Sequence, residues 1–291
     1  MKFLKKIEIG GKNVLRLLLV GGAIRALRRQ AAGLETIEDA VALANDFNYH
    51  RIKIAPSQIP FEITALLKLI AERPPKTLME LGTNKGGTFF MFTRVAAPDA
   101  LLISLDLPPE LYTGGYTRWQ HRLYATFGRE KQRVELLRAD SHDARTVDLV
   151  RQTTGGRALD FLLIDGDHSY EGVKRDYELY SPLVAPGGLI AFHDIVPGPA
   201  ARVGGVPRFW QELKQTRPVT EFVADWNQGA YGIGVIQVPA KLDSAVQQTK
   251  QIRHEKSNSQ GVEKFDRQRG RSHEIRSRRG GSIPPTLLPY R

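Results

Sequence analysis

The residues of this chain best suited to chemistry recur where short apolar runs end. Glu80 to Thr88, ELGTNKGGT, follows the run TLMEL and opens a helical pattern. A glycine-rich turn at that place lets main chain approach a ligand closely and points free helix N–H groups at it. Two nucleotide-binding patterns fail on spacing. A phosphate loop needs Lys where Thr88 stands, and the dinucleotide fingerprint needs a second glycine where Asn84 stands. Asp106 closes LLISLD at about the distance where a carboxylate meets the ribose hydroxyls of a bound nucleoside. Asp140 and Ser141 close VELLRAD, Asp165 to His168 close LDFLLI, and His193-Asp194 close GLIAF. A lone Asp at a strand end only caps a turn, whereas a series of polar groups at successive strand ends marks the edge where open α/β sheets bind ligands.

The pattern E-x-G-x-x-x-G-G at Glu80–Gly87 resembles motif I of class I S-adenosylmethionine-dependent methyltransferases. The resemblance runs from about Leu78 to Val238 and is closest in IDGDHSYEGVKRDYELYSPLVAPGGLIAFHDI, which looks like the cephalosporin-hydroxylase-like and bacterial O-methyltransferase group. It implies S-adenosylmethionine as donor and a Rossmann-like α/β fold of seven mostly parallel strands with helices on both faces, the last strand antiparallel. It also implies that Glu80, Gly82, Thr83, Gly86 and Asp165 shape the donor pocket, with Asp106 on the ribose and Asp140 and Ser141 around the adenine. Metal-dependent members carry acidic ligands after strands four and five, where this chain has Asp165 and the pair His193-Asp194. Two carboxylates suit Mg²⁺; the histidine departs from that pattern and leaves Mn²⁺ or no metal as alternatives. Three residues after the first ligand those families place a base, here His168, whose type titrates near neutral pH. Its neighbour Asp167 is the candidate catalytic partner, or the group that makes His168 a loop cap.

These groups need elements to hold them. TLMEL, LLISLDL, VELLRAD, LDFLLIDGD, GLIAFHD, TEFVAD and GIGVIQV are strand candidates, and their alternation with amphipathic stretches predicts a parallel sheet with crossover helices. Helices are expected over Thr36–Asn48 and Ser57–Arg73, the second capped by Ser57 and stopped by Pro74 and Pro75. The charges from Tyr170 through Glu171, Lys174, Asp176 and Glu178 read as a solvated helix face. Tyr112, Tyr116, Trp119 and His121, in or beside a long loop after the second strand, are candidate acceptor contacts. Trp210 and Trp226 read as packing residues.

Composition bounds the remainder. With 291 residues, 41% of them hydrophobic, and no cysteine, the chain suits one α/β domain with appendages and a reducing, cytoplasmic setting. No apolar run is long enough to span a bilayer. The net charge of +11 suggests nucleic acid until its distribution is read: Lys241–Arg291 holds 12 basic and 5 acidic side chains. We therefore expect no specific nucleic-acid partner, a small-molecule or carbohydrate acceptor, and three regions: an N-terminal helical extension (1–56), the methyltransferase domain (57–239) and a basic, disordered tail (240–291). A non-catalytic adaptor acting through that tail is the alternative. In the extension, Lys2, Lys5 and Lys6 precede an apolar run, Val14–Leu27, interrupted by Arg16 and Arg25. Such a helix lies on an anionic membrane surface, or docks on the domain or on a second copy in a homo-oligomer.

Overall fold

A computed structural model describes residues 2–108, 115–129 and 131–240, and for residues 2–12 the backbone alone. The disordered-tail expectation and Tyr112 lie outside the described residues. Helix α1 (Lys2–Ala31) is followed by α2 (Ile37–Asp46), which starts where Thr36 and Asp39 cap each other reciprocally. Strands β1 (Asn48–Tyr49) and β2 (Ile52–Lys53) make a small antiparallel ribbon. Helix α3 (Pro60–Glu72) does not begin at Ser57 as expected. Ile59 is its N-cap and Pro60 its first residue, because a fixed φ and a missing N–H suit that position.

From there strand and helix alternate: β3 (Thr77–Leu81), α4 (Gly87–Val95), β4 (Leu101–Asp106), α5 (Arg118–Tyr124), β5 (Arg133–Arg138), α6 (Ala144–Thr154), β6 (Leu159–Ile164), α7 (Tyr170–Tyr180) and β7 (Val184–His193). The short α8 (Ala200–Val203), α9 (Val206–Lys214), β8 (Val219–Phe222) and β9 (Ile233–Gln237) complete the described chain. The seven strands lie in the order β5-β4-β3-β6-β7-β9-β8. β3 to β7 are parallel, and β9, the last in sequence, runs antiparallel between β7 and β8. This is the Rossmann-like sheet that the resemblance implied.

The pleat divides each central strand between two cores. Leu78, Leu102, Phe161 and Leu163 face a cluster built from α1 to α5, whereas Met79, Ile103, Leu162 and Ile164 face one built from α6, α7 and α9. The N-terminal region contributes Val20, Ala23, Leu27, Val41 and Ala44 to the first cluster, so its helices share the core of the sheet. Because the chain runs outward from β3 to β4 and β5 on one side and then crosses back from β5 to β6 on the other, a crevice opens between the carboxyl ends of β3 and β6.

Gly82 closes the back of that crevice. Its φ is +84°, and a Cβ built there would lie 2.0 Å from the Asp165 carbonyl oxygen. Gly82→Ala therefore combines left-handed strain with a backbone clash and is expected to destabilise the fold by at least about 2 kcal/mol. Urea unfolding of both proteins measures it, and a loss below about 0.5 kcal/mol would contradict the close approach.

Candidate functional site

A cleft of about 910 Å³ opens over the carboxyl ends of β3 to β7. Gly82, Asp106, Asp140, Ser141, Asp165, Asp167, His168, His193 and Asp194 all line it, so most residues singled out from sequence meet in one place. Three do not reach its wall. Glu80 lies beneath the glycine loop, while Thr83 and Gly86 belong to it: the Thr83 and Ser104 hydroxyls share a 2.6 Å bond, and Gly86 gives room to the Tyr124 ring. Their part is to shape the loop.

Asp106 ties that loop to the sheet. One carboxylate oxygen accepts from the backbone N–H of Thr83 (3.1 Å) and Asn84 (2.8 Å), and the other accepts from Leu107 N–H (2.8 Å). Burial raises its pKa, and these three N–H groups oppose the rise. From α5, the Tyr124 hydroxyl donates to the Asn84 carbonyl at 2.9 Å.

Glu80 is 1% exposed, and its Oε2 has no partner. Burial pushes its pKa well above the usual carboxylate range. Above about pH 4.5 an unfolded chain loses this proton while the fold keeps it, so stability falls as pH rises toward the folded pKa. Glu80→Gln removes that linkage. The variant's stability relative to the parent should climb by up to about 1.4 kcal/mol per pH unit across the window. Denaturant melts from pH 5 to pH 8 would read this, and a pH-independent difference would show that Glu80 ionises normally.

At the other wall, β6 and β7 deliver an acid–imidazole group. His168 Nε2 lies 3.4 Å from Asp165 Oδ1, and its Nδ1 lies 3.3 Å from Asp194 Oδ2. Nδ1 is also 2.7 Å from the Arg202 carbonyl, which can only accept, so this nitrogen carries a proton, and Nε2 is the ring atom that faces Asp165. The bond to Asp165 raises the His168 pKa to about 9 against the opposing effect of burial. Burial works to raise the Asp165 pKa, yet His193 and His168 beside it bring it down to about 2. Burial raises Asp194.

Three ligand atoms, one each from Asp165, His168 and Asp194, lie within 4.8 Å of one another. Two hard oxygens and an imidazole nitrogen fit a divalent ion such as Mg²⁺ or Mn²⁺. His193, placed among the ligands from sequence, is not one of these three but lines the cleft beside them: it is buried, with Nδ1 3.2 Å from Asp165 Oδ1 and 3.6 Å from Asp194 Oδ2 and with Nε2 unpartnered. Asp194, one residue later, adopts φ +62° and aims its carboxylate over the edge; its Oδ1 accepts from Tyr231 N–H at 2.8 Å. Asn84, Asp194 and Tyr231, all lining the cleft, hold positive φ without being glycine, a conformation that costs energy and collects at functional sites.

Some expectations move. Asp167 is exposed and accepts from Ser169 N–H at 2.8 Å, in the turn just before Ser169 caps α7, and it makes no bond to His168. Tyr116 and Trp119 are core residues. Trp210 is fully buried as expected, while Trp226 is exposed. Asp176, expected in solvent, is fully buried, 3.3 Å from His142 Nε2 below the cleft. Burial raises its pKa to about 6. Its spacing from Val173 and Tyr180, both buried, was the available signal. Gln58 and Glu62 were missed altogether. Gln58 Nε2 donates to Asp165 Oδ2 at 3.2 Å, and Glu62 accepts from the N–H groups of Ala224 and Gly232, fixing the segment that carries Tyr231. No sequence spacing announces contacts across more than a hundred residues.

Residues 79–195 match a family described as a methyltransferase domain. Two curated relatives are each 28% identical: the uncharacterized protein y4gI of Sinorhizobium fredii, over 51% of this chain and 16% of that protein, and the uncharacterized protein R132 of Acanthamoeba polyphaga mimivirus, over 46% and 58%. The chain thus spans well under two thirds of either relative's length. Among solved structures it resembles the O-methyltransferase TomG from Streptomyces achromogenes, described in complex with SAM. That likeness has a TM-score of 0.47 at 18% identity and covers 71% of this chain and 91% of that one.

Proposed function

We propose, from the premise that this chain carries a class I methyltransferase domain, that it methylates a hydroxyl oxygen of a small molecule, sugar or glycoconjugate with S-adenosylmethionine as donor. The observation that carries this reading is the Asp165–His168–Asp194 group facing the same cleft as Gly82 and Asp106. One wall suits a nucleoside, and the other suits a hydroxyl that must lose its proton. A volume of about 910 Å³ lies near the upper end of the roughly 300–1,000 Å³ of small-molecule sites, which leaves room for two reactants.

The donor supplies an already electrophilic methyl carbon, so the protein's work is alignment and deprotonation. Gly82 lets main chain come close, Asp106 keeps one lone pair, on Oδ1, for a ribose hydroxyl, and Asp140 and Ser141 flank the adenine. Asp165, His168 and Asp194 would hold a divalent ion, which when bound lowers the pKa of an acceptor hydroxyl. Gln58 and His193 restrain Asp165, and Tyr231 restrains Asp194, so the carboxylates keep their aim. The proton on His168 must leave before Nε2 serves either as ligand or as the base that takes the acceptor's proton.

The test is incubation of the full chain with methyl-labelled donor and fractionated extracts, followed by identification of the labelled product. A labelled methyl ether supports the reading. Absence of saturable donor binding at millimolar concentration overturns it. Chelator should abolish turnover and Mg²⁺ or Mn²⁺ restore it; turnover that ignores chelator assigns His168 to the base role instead.

A further inference from the structure

Helix α1 has a second face that the fold does not use. Val20, Ala23 and Leu27 enter the core, while Val14, Leu15 and Leu18, on the other side, are 61%, 57% and 76% exposed. These are three of the six exposed large hydrophobic residues among those described, and they are gathered within about one helical turn. Arg25 and Arg29 continue the same face at helical spacing and are exposed as well. The sequence of α1 holds eight Lys and Arg against the single acid Glu8. On the inward side Trp119 of α5 fastens the helix, with its Nε1 donating to Asn13 Oδ1 at 3.3 Å and Arg16 stacked 5.3 Å over its ring.

We propose that this face of α1 docks the protein on an anionic membrane surface. Charge decides among the occupants. A second copy would set one α1 with eight Lys and Arg and a single acid against another, and like charges at close range repel whichever way the two helices run. A nucleic acid would use the arginines but gains little from Val14, Leu15 and Leu18, since base stacking needs aromatic rings. A lipid interface takes both, burying the aliphatic side chains below the headgroups while arginines meet anionic phosphates. No described helix is long and apolar enough to cross a membrane, so the contact is peripheral.

The experiment is sedimentation of the full chain with vesicles of phosphatidylcholine alone and of phosphatidylcholine mixed with phosphatidylglycerol. Binding is expected only to the mixed vesicles. The double variant Leu15→Ser, Leu18→Ser leaves every charge in place and should bind them at least about tenfold more weakly, with its melting temperature and donor binding kept. Leu149→Ser, at an exposed leucine of α6 on the opposite face of the sheet, should bind like the parent. Unchanged binding of the double variant would overturn the proposal, because basic residues elsewhere would then suffice. So would capture by single-stranded RNA without capture by vesicles, or a concentration-dependent dimer that the double variant loses.

Discussion

Asp194→Asn is expected to lower the proposed methyl transfer by about 10²–10³-fold while donor affinity stays within about threefold of the parent. The amide keeps the shape of the carboxylate, and its oxygen can still accept from Tyr231 N–H, so the left-handed turn at the end of β7 survives. What it removes is one negative charge from the Asp165–His168–Asp194 group, 3.3 Å from His168 Nδ1. If that group activates the acceptor, its loss appears in kcat, since the interaction is needed where charge develops. Asp106 and the glycine loop are untouched, so calorimetry with the donor should look like the parent's. A fall in turnover below about tenfold would remove Asp194 from the chemistry. An equal fall in donor affinity would assign it to the donor instead.

Asp106→Ala is expected to do the reverse, weakening donor binding by about 10²-fold. A hydrogen bond to a charged acceptor contributes roughly 1.5–3 kcal/mol, and a ribose hydroxyl would lose it. The loop also loses its anchor, because Thr83 and Asn84 both donate their N–H groups to this carboxylate. Asp106→Asn keeps an acceptor without the charge and should fall between the two. The readout is calorimetric Kd, checked by the donor-induced rise in melting temperature, which shrinks as affinity falls. Normal binding by Asp106→Ala would place the ribose elsewhere. Together the two substitutions divide the cleft into a donor wall and an acceptor wall, and a protein that merely keeps the fold would show neither separation.

The seven strands were legible because each central one is apolar on both faces, and turn residues punctuate them. Leu78 and Met79, or Leu102 and Ile103, read as neighbours in one run although they enter different cores. Element ends were less legible. Ser57 has the chemistry of an N-cap, yet Pro60 decides where α3 starts, because φ restriction outranks a single capping bond. Register on a helix also misled: Asp176 reads as one more charge on a polar face, but its place between Val173 and Tyr180 takes it inside.

What the sequence by itself determined is the order of strands and helices, the glycine turn after β3, and the recurrence of carboxylates and imidazoles at strand ends. These follow from local periodicity and from φ preferences, which act over a few residues. Tertiary structure alone decided which polar groups share a wall. It buried Glu80 under the loop, set His193 beside Asp165, turned His168 toward Asp165 and Asp194, and brought Gln58 and Glu62 from the other end of the chain to hold them. The reason is that a single residue's step along a pleated strand reverses the direction of its side chain, and contacts between distant segments depend on packing that no local pattern encodes.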